Sequence, residues 1–181
     1  IKTPLGLVPL EGPQQQSLLP HEHTGDISPV TYGQYLHSIA AYLSGYSCRA
    51  VREVLERSPE PAPPLQAASG ITLVSEKHGA LYSVCRLTVS FPAASFSFAV
   101  NTAFLPEQQA FLRHEYRLLR ELYRKFRLPY LPRPLLSGST PLAGHPSALP
   151  IRLFIAEWFV KHHEFHLSDQ HPHNTGGPSR I

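Results

Sequence analysis

The chain contains 181 residues, of which 42% are hydrophobic and 16% are charged. This balance is typical of a folded protein and excludes a disordered one, and the length suffices for one domain, or for one domain plus a helical segment. The net charge of +3 is smaller than that of a dedicated nucleic-acid-binding protein, so no nucleic-acid partner is expected.

The sequence carries no recognisable membrane or export signal. No stretch of about 18 consecutive apolar residues occurs, and no basic segment followed by an apolar run opens the chain. Cys48 and Cys85 stand alone, without a C-x-x-C pair, which favours a reducing compartment. We therefore expect a cytoplasmic protein without membrane contact. Because the chain starts at Ile1 and lacks methionine, we also expect it to be a piece of a longer protein.

The first part of the chain divides into three segments. Residues 1–30 are rich in proline and glutamine and have no sustained period, which predicts an extended lead-in. Residues 31–58 carry apolar side chains at helical spacing and predict two short helices, the first closed by Gly45 and the second capped by Ser47. Residues 59–69 form a proline-rich linker, where we place a subdomain boundary.

After Gly70 the hydrophobic period changes to two, which indicates strands. Three alternating runs begin near Ile71, Tyr82 and Phe96, and short loops join them. Short connections between consecutive strands predict an antiparallel sheet. Lys77 falls in the expected turn between the first two strands.

A long amphipathic helix follows, with Pro106 in its first turn and Pro129 after its end. Two further strand-like runs cover residues 130–136 and 151–159, separated by a loop rich in glycine, proline and serine. The predicted fold class is α+β, with a five-stranded antiparallel sheet and one long helix in residues 70–161, preceded by a short helical segment.

This order of elements resembles the small N-terminal lobe of the protein-kinase and aminoglycoside-phosphotransferase superfamily. Residues 113–122 and 131–135 are similar to the helix that carries the ion-pair glutamate and to the strand behind it. Residues 151–159 are similar to the strand that enters the hinge between the lobes. The resemblance implies that Glu115 is the ion-pair glutamate and that ATP and Mg²⁺ are cofactors.

A second match lies in the His-rich tail, residues 162–181. Asp169 to Asn174 read D-Q-H-P-H-N and resemble the D-x-H-P-x-N catalytic loop of aminoglycoside-phosphotransferase-like enzymes. The resemblance implies that Asp169 accepts the proton of the attacking hydroxyl and that Asn174 binds Mg²⁺. The same residue types also favour an ordinary solvated polar turn, and that alternative stays open.

Three features depart from this family. Asn101 stands where the family has the lysine that grips the phosphates, and Lys77 is a candidate substitute cation. The turn at Gly79 contains one glycine instead of a glycine-rich loop. The stretch between Phe159 and Asp169 is too short for the helices of a large lobe. Reduced or lost activity is therefore expected.

The leading hypothesis is a degenerate or truncated ATP-dependent phosphotransferase acting on a small molecule. The alternative is a non-catalytic regulatory or protein-interaction module, in which the helices at 31–57 dock a protein partner. A weaker hypothesis is a metal site in the histidine cluster formed by His162, His163, His166, His171 and His173.

The long helix carries an arginine stripe, formed by Arg113, Arg117, Arg120, Arg124 and Arg127. Such a stripe is typical of the solvated side of an amphipathic helix, and it is alternatively a surface for phosphate-bearing or acidic partners.

Overall fold

The structure is a computed structural model with an α+β architecture. It describes residues 2–3, 6–7, 10–11, 30–78, 81–128, 130–145 and 148–158. The main feature is an antiparallel sheet of five long strands with a helix on each face. Neither of the helices within these ranges has the length and apolar character needed to cross a bilayer.

Short strands come first along the chain, followed by a helix, three long strands, a second helix and two final strands. They are β1 (Lys2–Thr3), β2 (Gly6–Leu7), β3 (Leu10–Glu11), α1 (Tyr32–Arg57), a 3-10 turn (Leu65–Ala67), β4 (Gly70–His78), β5 (Ser83–Ser90), β6 (Ser95–Ala103), α2 (Pro106–Phe126), β7 (Pro134–Thr140) and β8 (Ile151–Glu157). The five long strands lie side by side as β4-β5-β6-β8-β7, all antiparallel. At the β4 edge, β3 adds a short parallel pairing, and β1 pairs with β2. The predicted fold class is confirmed.

α1 begins with a capping box and contains a sharp kink. The Thr31 hydroxyl accepts a hydrogen bond from the Gln34 amide at 3.1 Å, and the Gln34 side chain accepts one from the Thr31 amide at 2.8 Å. Residues 45–48 depart from helical φ/ψ, and three of them have positive φ values. This break after the first three turns confirms two helical pieces separated at Gly45.

α1 covers one face of the sheet and builds the main core. The helix contributes Leu36, Ile39, Leu43, Val51 and Val54, and the strands contribute Leu73, Leu87, Val100, Leu153 and Ile155. The helical segment and the sheet therefore share one hydrophobic core, although a proline-rich segment joins them. The apolar face of residues 31–57 is buried against the sheet of the same chain, so a partner that docks on these helices, as in the interaction-module alternative, would have to use another face.

β5 shows how the sheet divides its two faces. Along this strand buried and half-buried residues alternate from end to end. Cys85, Leu87 and Val89 point into the core beneath α1, whereas Val84 and Arg86 belong to the opposite face. The alternation follows from the two-residue period of a strand, so each face of the sheet has its own set of side chains.

α2 lies on that opposite face and contacts β6, β7 and β8. Of its 21 residues, all of which the structure describes, only Gln108 and Leu112 are buried. Leu112 packs in a small cluster with Ala103, Phe154 and Ala156. Among the described residues, α2 therefore leaves the β4–β5 half of this face largely uncovered. This surface, the open half-face, borders the candidate site.

β4 extends further than predicted. Lys77 lies within this strand, which continues to His78, and not in the turn that follows. A bulge between Ser75 and Lys77 shifts the pairing with β5 by one residue. The bulge interrupts the alternation of apolar and polar residues, and for this reason the predicted strand ended too early.

β7 also differs from its predicted position. It begins at Pro134, four residues later than expected, and includes Gly138 in a stretch that we assigned to the loop. β7 is an edge strand with one neighbour, so the proline at its first position interrupts no second set of hydrogen bonds. A Cβ atom at Gly138 would lie 2.7 Å from Cζ of Tyr42 on α1, so any larger residue at this position would displace the end of the Tyr42 side chain.

Candidate functional site

One row of side chains crosses the face of the sheet that α2 partly covers. Lys77 on β4 is paired with Val84 on β5, Val84 with Asn101 on β6, and Asn101 with Phe154 on β8. Residues paired across antiparallel strands share a face, so these four side chains form one line. Asn101 is buried in the middle of the line, and Lys77 is exposed at its outer end.

α2 places Glu115 beside this row. The next residue of the helix, Tyr116, packs on Phe154 with a ring-centroid distance of 5.6 Å. The Tyr82 hydroxyl donates a hydrogen bond to Glu115 Oε1 at 3.1 Å, and the Tyr82 ring stacks on Phe111 at 6.1 Å. The loop before β5 and two turns of α2 thus hold the Glu115 carboxylate on the sheet side of the helix.

The second oxygen of Glu115 has no visible partner. Oε2 is buried and accepts no hydrogen bond from any residue that the structure describes. Burial raises the pKa of Glu115 above its ordinary value of 4.5, and the hydrogen bond from Tyr82 opposes this shift. Burial, followed by the Glu115 charge, raises the pKa of Tyr82 to about 12. A half-buried carboxylate with one unsatisfied oxygen favours a proton or a nearby cation.

The open half-face beside the row has an apolar floor and a charged rim. Val74, Val84 and Ala99 are half-buried on this face. Arg86 forms an ion pair with Glu76 at 2.8 Å, and its guanidinium lies 5.5 Å from the centre of the Trp158 ring. Trp158 directly follows β8 and lies at the border of this surface, against Arg86.

Three of the five predicted site residues, Glu115, Asn101 and Lys77, lie on the same side of the sheet. Within the sheet, Lys77 is two strands away from Asn101. Asp169 and Asn174 lie outside the described residues, as does the histidine cluster of the tail, and those predictions stay predictions. In the part of the chain that is described, no group of three or more His, Cys, Asp or Glu side chains is arranged to hold a metal ion.

Sequence reasoning missed two contributors, Tyr82 and Arg86. The sequence pattern marks Tyr82 only as the beginning of a strand, whereas its hydroxyl positions Glu115, which lies 33 residues later in the chain. Arg86 lies on a strand whose outward face looks merely polar in the sequence. No local pattern marks either residue, because both contacts depend on the tertiary fold.

The site combines a half-buried carboxylate, a buried amide, an exposed ammonium group and an apolar surface. Such a set can hold a ligand that has an apolar part and a charged part. Comparisons of this chain with protein-family models, with curated proteins and with solved structures gave no match.

Proposed function

We propose that this chain is the small, ATP-covering lobe of a kinase-like phosphotransferase whose catalytic activity is reduced or lost. The observation that supports this most is the Glu115 carboxylate, which α2 holds beside the row that contains Asn101. The helix that carries Glu115 connects the third and fourth long strands, as the resemblance requires.

The unsatisfied oxygen of Glu115 has a simple explanation in this proposal. In the family that the chain resembles, a lysine at the position of Asn101 pairs with the helix glutamate and contacts the phosphates. An asparagine amide carries no charge, so it replaces neither role. A buried oxygen without a partner among the described residues is unusual in native proteins, and it is what the loss of such a lysine would leave behind.

The open half-face is the proposed place for the nucleotide. Its half-buried Val74, Val84 and Ala99 would contact the base, and the end of β8 lies at the border of this surface. Lys77 shares the cross-strand row of Asn101, two strands away at its outer end, and would face the phosphates. In the same proposal Asp169 acts as the base toward a small-molecule hydroxyl, and Asn174 holds Mg²⁺.

Thermal melting tests the nucleotide site. ATP with Mg²⁺ should raise the melting temperature, because a ligand that binds only the native state stabilises it by about 2.7 kcal/mol at one hundred times its Kd. Inorganic triphosphate with Mg²⁺ serves as the control for charge alone, and ATP should give the larger shift. Lys77→Ala should reduce the ATP shift, whereas Lys125→Ala, an exposed lysine at the far end of α2, should not. No ATP-specific shift at millimolar nucleotide would refute the proposal.

A non-catalytic interaction module is the second candidate. α2 keeps large apolar side chains at the surface: Phe111, Leu118 and Phe126 are 40%, 49% and 61% exposed. Such exposure on a single helix favours a protein contact, in contrast to the buried face of α1. Nucleotide binding separates the two candidates, because the interaction module requires none. A chain that melts at the same temperature with and without ATP would favour the interaction module. If the wild-type chain turns over ATP, Asp169→Asn should abolish phosphoryl transfer, because Asp169 would be the base.

A further inference from the structure

A groove of about 220 Å³ lies between α2 and the sheet edge formed by β7 and β8. Four arginines line this arginine groove: Arg113, Arg117 and Arg120 from α2, and Arg152 from β8. The three helical residues follow one another at spacings of four and three, so they occupy one side of the helix. No acidic residue is among the described residues that line the groove.

Within the described ranges none of the four arginines forms an ion pair. An acidic influence comes from Glu121, whose pKa is lowered mainly by Arg124 and to a smaller degree by Arg120. The Nε atom of Arg152 is buried without a hydrogen-bond partner among the described residues. Arg124, one turn further along the helix, differs because it forms an ion pair with Glu121 at 2.9 Å. Like charges that converge on a partly desolvated groove repel one another, and a bound anion removes both the repulsion and the unsatisfied donor.

The floor of the groove is apolar and aromatic. Leu112, Tyr116 and Phe154 line it beneath the arginines. The guanidinium of Arg120 lies 5.7 Å from the centre of the Tyr116 ring, which holds this arginine against the floor. Two of the same residues, Leu112 and Phe154, belong to the small cluster that fixes α2 on the sheet. A ligand in the groove would therefore contact both α2 and β8.

We propose that the arginine groove binds a small molecule that carries two or more phosphate groups. Guanidinium groups match phosphate oxygens with paired hydrogen bonds, and several of them around one site suit a ligand with several anionic groups. From Arg113 to Arg120 the helix rises by about 10 Å, which spreads the charges over more than one phosphate. The groove volume of about 220 Å³ suits a small diphosphate ligand.

This site is separate from the proposed nucleotide site. The arginine groove lies at the β7–β8 edge, whereas the open half-face lies at β4 and β5, and α2 stands between them. Because α2 has few buried residues of its own, a ligand that links it to β8 should stabilise its position on the sheet. Glu115 is on the same helix, so occupancy of the groove would also steady the Glu115 carboxylate.

Titration calorimetry with inorganic pyrophosphate tests the proposal on the full chain. We expect binding with one ligand per chain, and a rise in melting temperature that sodium chloride of equal ionic strength does not reproduce. Arg117→Gln and Arg152→Gln should each weaken binding by about tenfold or more, because each removes a charged hydrogen-bond donor. Arg124→Gln is the matched control on the same helix and should bind pyrophosphate like the parent chain.

Three results would overturn the proposal. The first is no binding at millimolar pyrophosphate, and the second is equal weakening in Arg124→Gln and Arg117→Gln, which would indicate non-specific attraction. The third is binding of single-stranded RNA or an acidic peptide without binding of pyrophosphate, which would point to a macromolecular partner. If Arg152→Gln fails to fold, the exposed Arg113→Gln replaces it. The ATP-specific rise in melting temperature should persist in Arg117→Gln. Failure of the arginine groove and failure of the nucleotide site can therefore be told apart.

Discussion

At the scale of single residues, the chemistry centres on Glu115. One of its oxygens accepts a hydrogen bond from Tyr82, and the other is buried with no partner among the described residues. Because burial raises the pKa of Glu115 above 4.5, the folded chain binds this proton more tightly than the unfolded chain does. The ionised carboxylate therefore costs stability at neutral pH. This cost disappears as the pH falls through the raised pKa toward 4.5.

Glu115→Gln should remove that cost. The amide oxygen of glutamine can still accept the hydrogen bond from Tyr82, but it carries no charge. We expect the variant to melt at the same temperature as the parent or higher near pH 7, with this advantage shrinking as the pH falls to about 4. Glu60→Gln, an exposed change in the proline-rich segment, is the control and should show no such trend. Equal destabilisation of Glu115→Gln at both pH values would contradict the prediction.

Asn101→Lys should restore the charge pair that the site lacks. Asn101 is buried on the face that α2 covers, so a lysine there would place its ammonium group on the same face of the sheet as the unsatisfied Glu115 oxygen. We expect ATP binding to strengthen by about tenfold, because one charged contact is added. Calorimetric Kd values for ATP provide the measurement. Asn101→Gln is the uncharged control, and a folded lysine variant whose Kd is unchanged would argue against this site.

At the scale of elements, the two helices contribute unequally to stability. α1 buries most of its apolar side chains against the sheet, whereas α2 buries Leu112 and little else among its apolar residues. The sequence pattern hides this difference, since both helices have a clear apolar side. The sequence pattern also failed to show how the arginine stripe is placed. Three of its five members line a groove against the sheet, although the pattern favoured a solvated side for all of them.

Matched leucine truncations measure that inequality. Leu43 on α1 is 1% exposed and Leu118 on α2 is 49% exposed. Leu43→Ala should lower the free energy of unfolding by about 2–5 kcal/mol, because a buried side chain is lost and a cavity remains. Leu118→Ala should change it by less than about 0.5 kcal/mol. Urea denaturation gives both values, and similar costs at the two positions would show that α2 is packed more firmly than this structure indicates.

At the scale of the whole molecule, one hydrophobic core joins α1 to the sheet. A subdomain boundary in residues 59–69 would allow the helical segment to unfold by itself. The shared core instead predicts one cooperative transition. Far-UV circular dichroism follows the helices, and fluorescence follows Trp158, which lies at the end of the sheet. The two melting curves should coincide, and an earlier loss of the helical signal would support two separate units.

The layered arrangement also determines where a ligand can bind. α1 covers one face of the sheet, and α2 covers only the β6, β7 and β8 part of the other. The remaining half-face and the arginine groove lie on either side of α2. Both proposed sites therefore follow from a single feature, a long helix that covers half of a five-stranded sheet.

The sequence by itself determined the order and type of the main elements. Helical and strand periods, Gly45 and Pro106 are local signals, because they reflect the backbone preferences of neighbouring residues. The tertiary structure alone decided which helix covers which face, that Tyr82 binds Glu115, and that Arg152 joins the arginines of α2. Those contacts join residues far apart in the chain. Packing, rather than any local pattern, selects them.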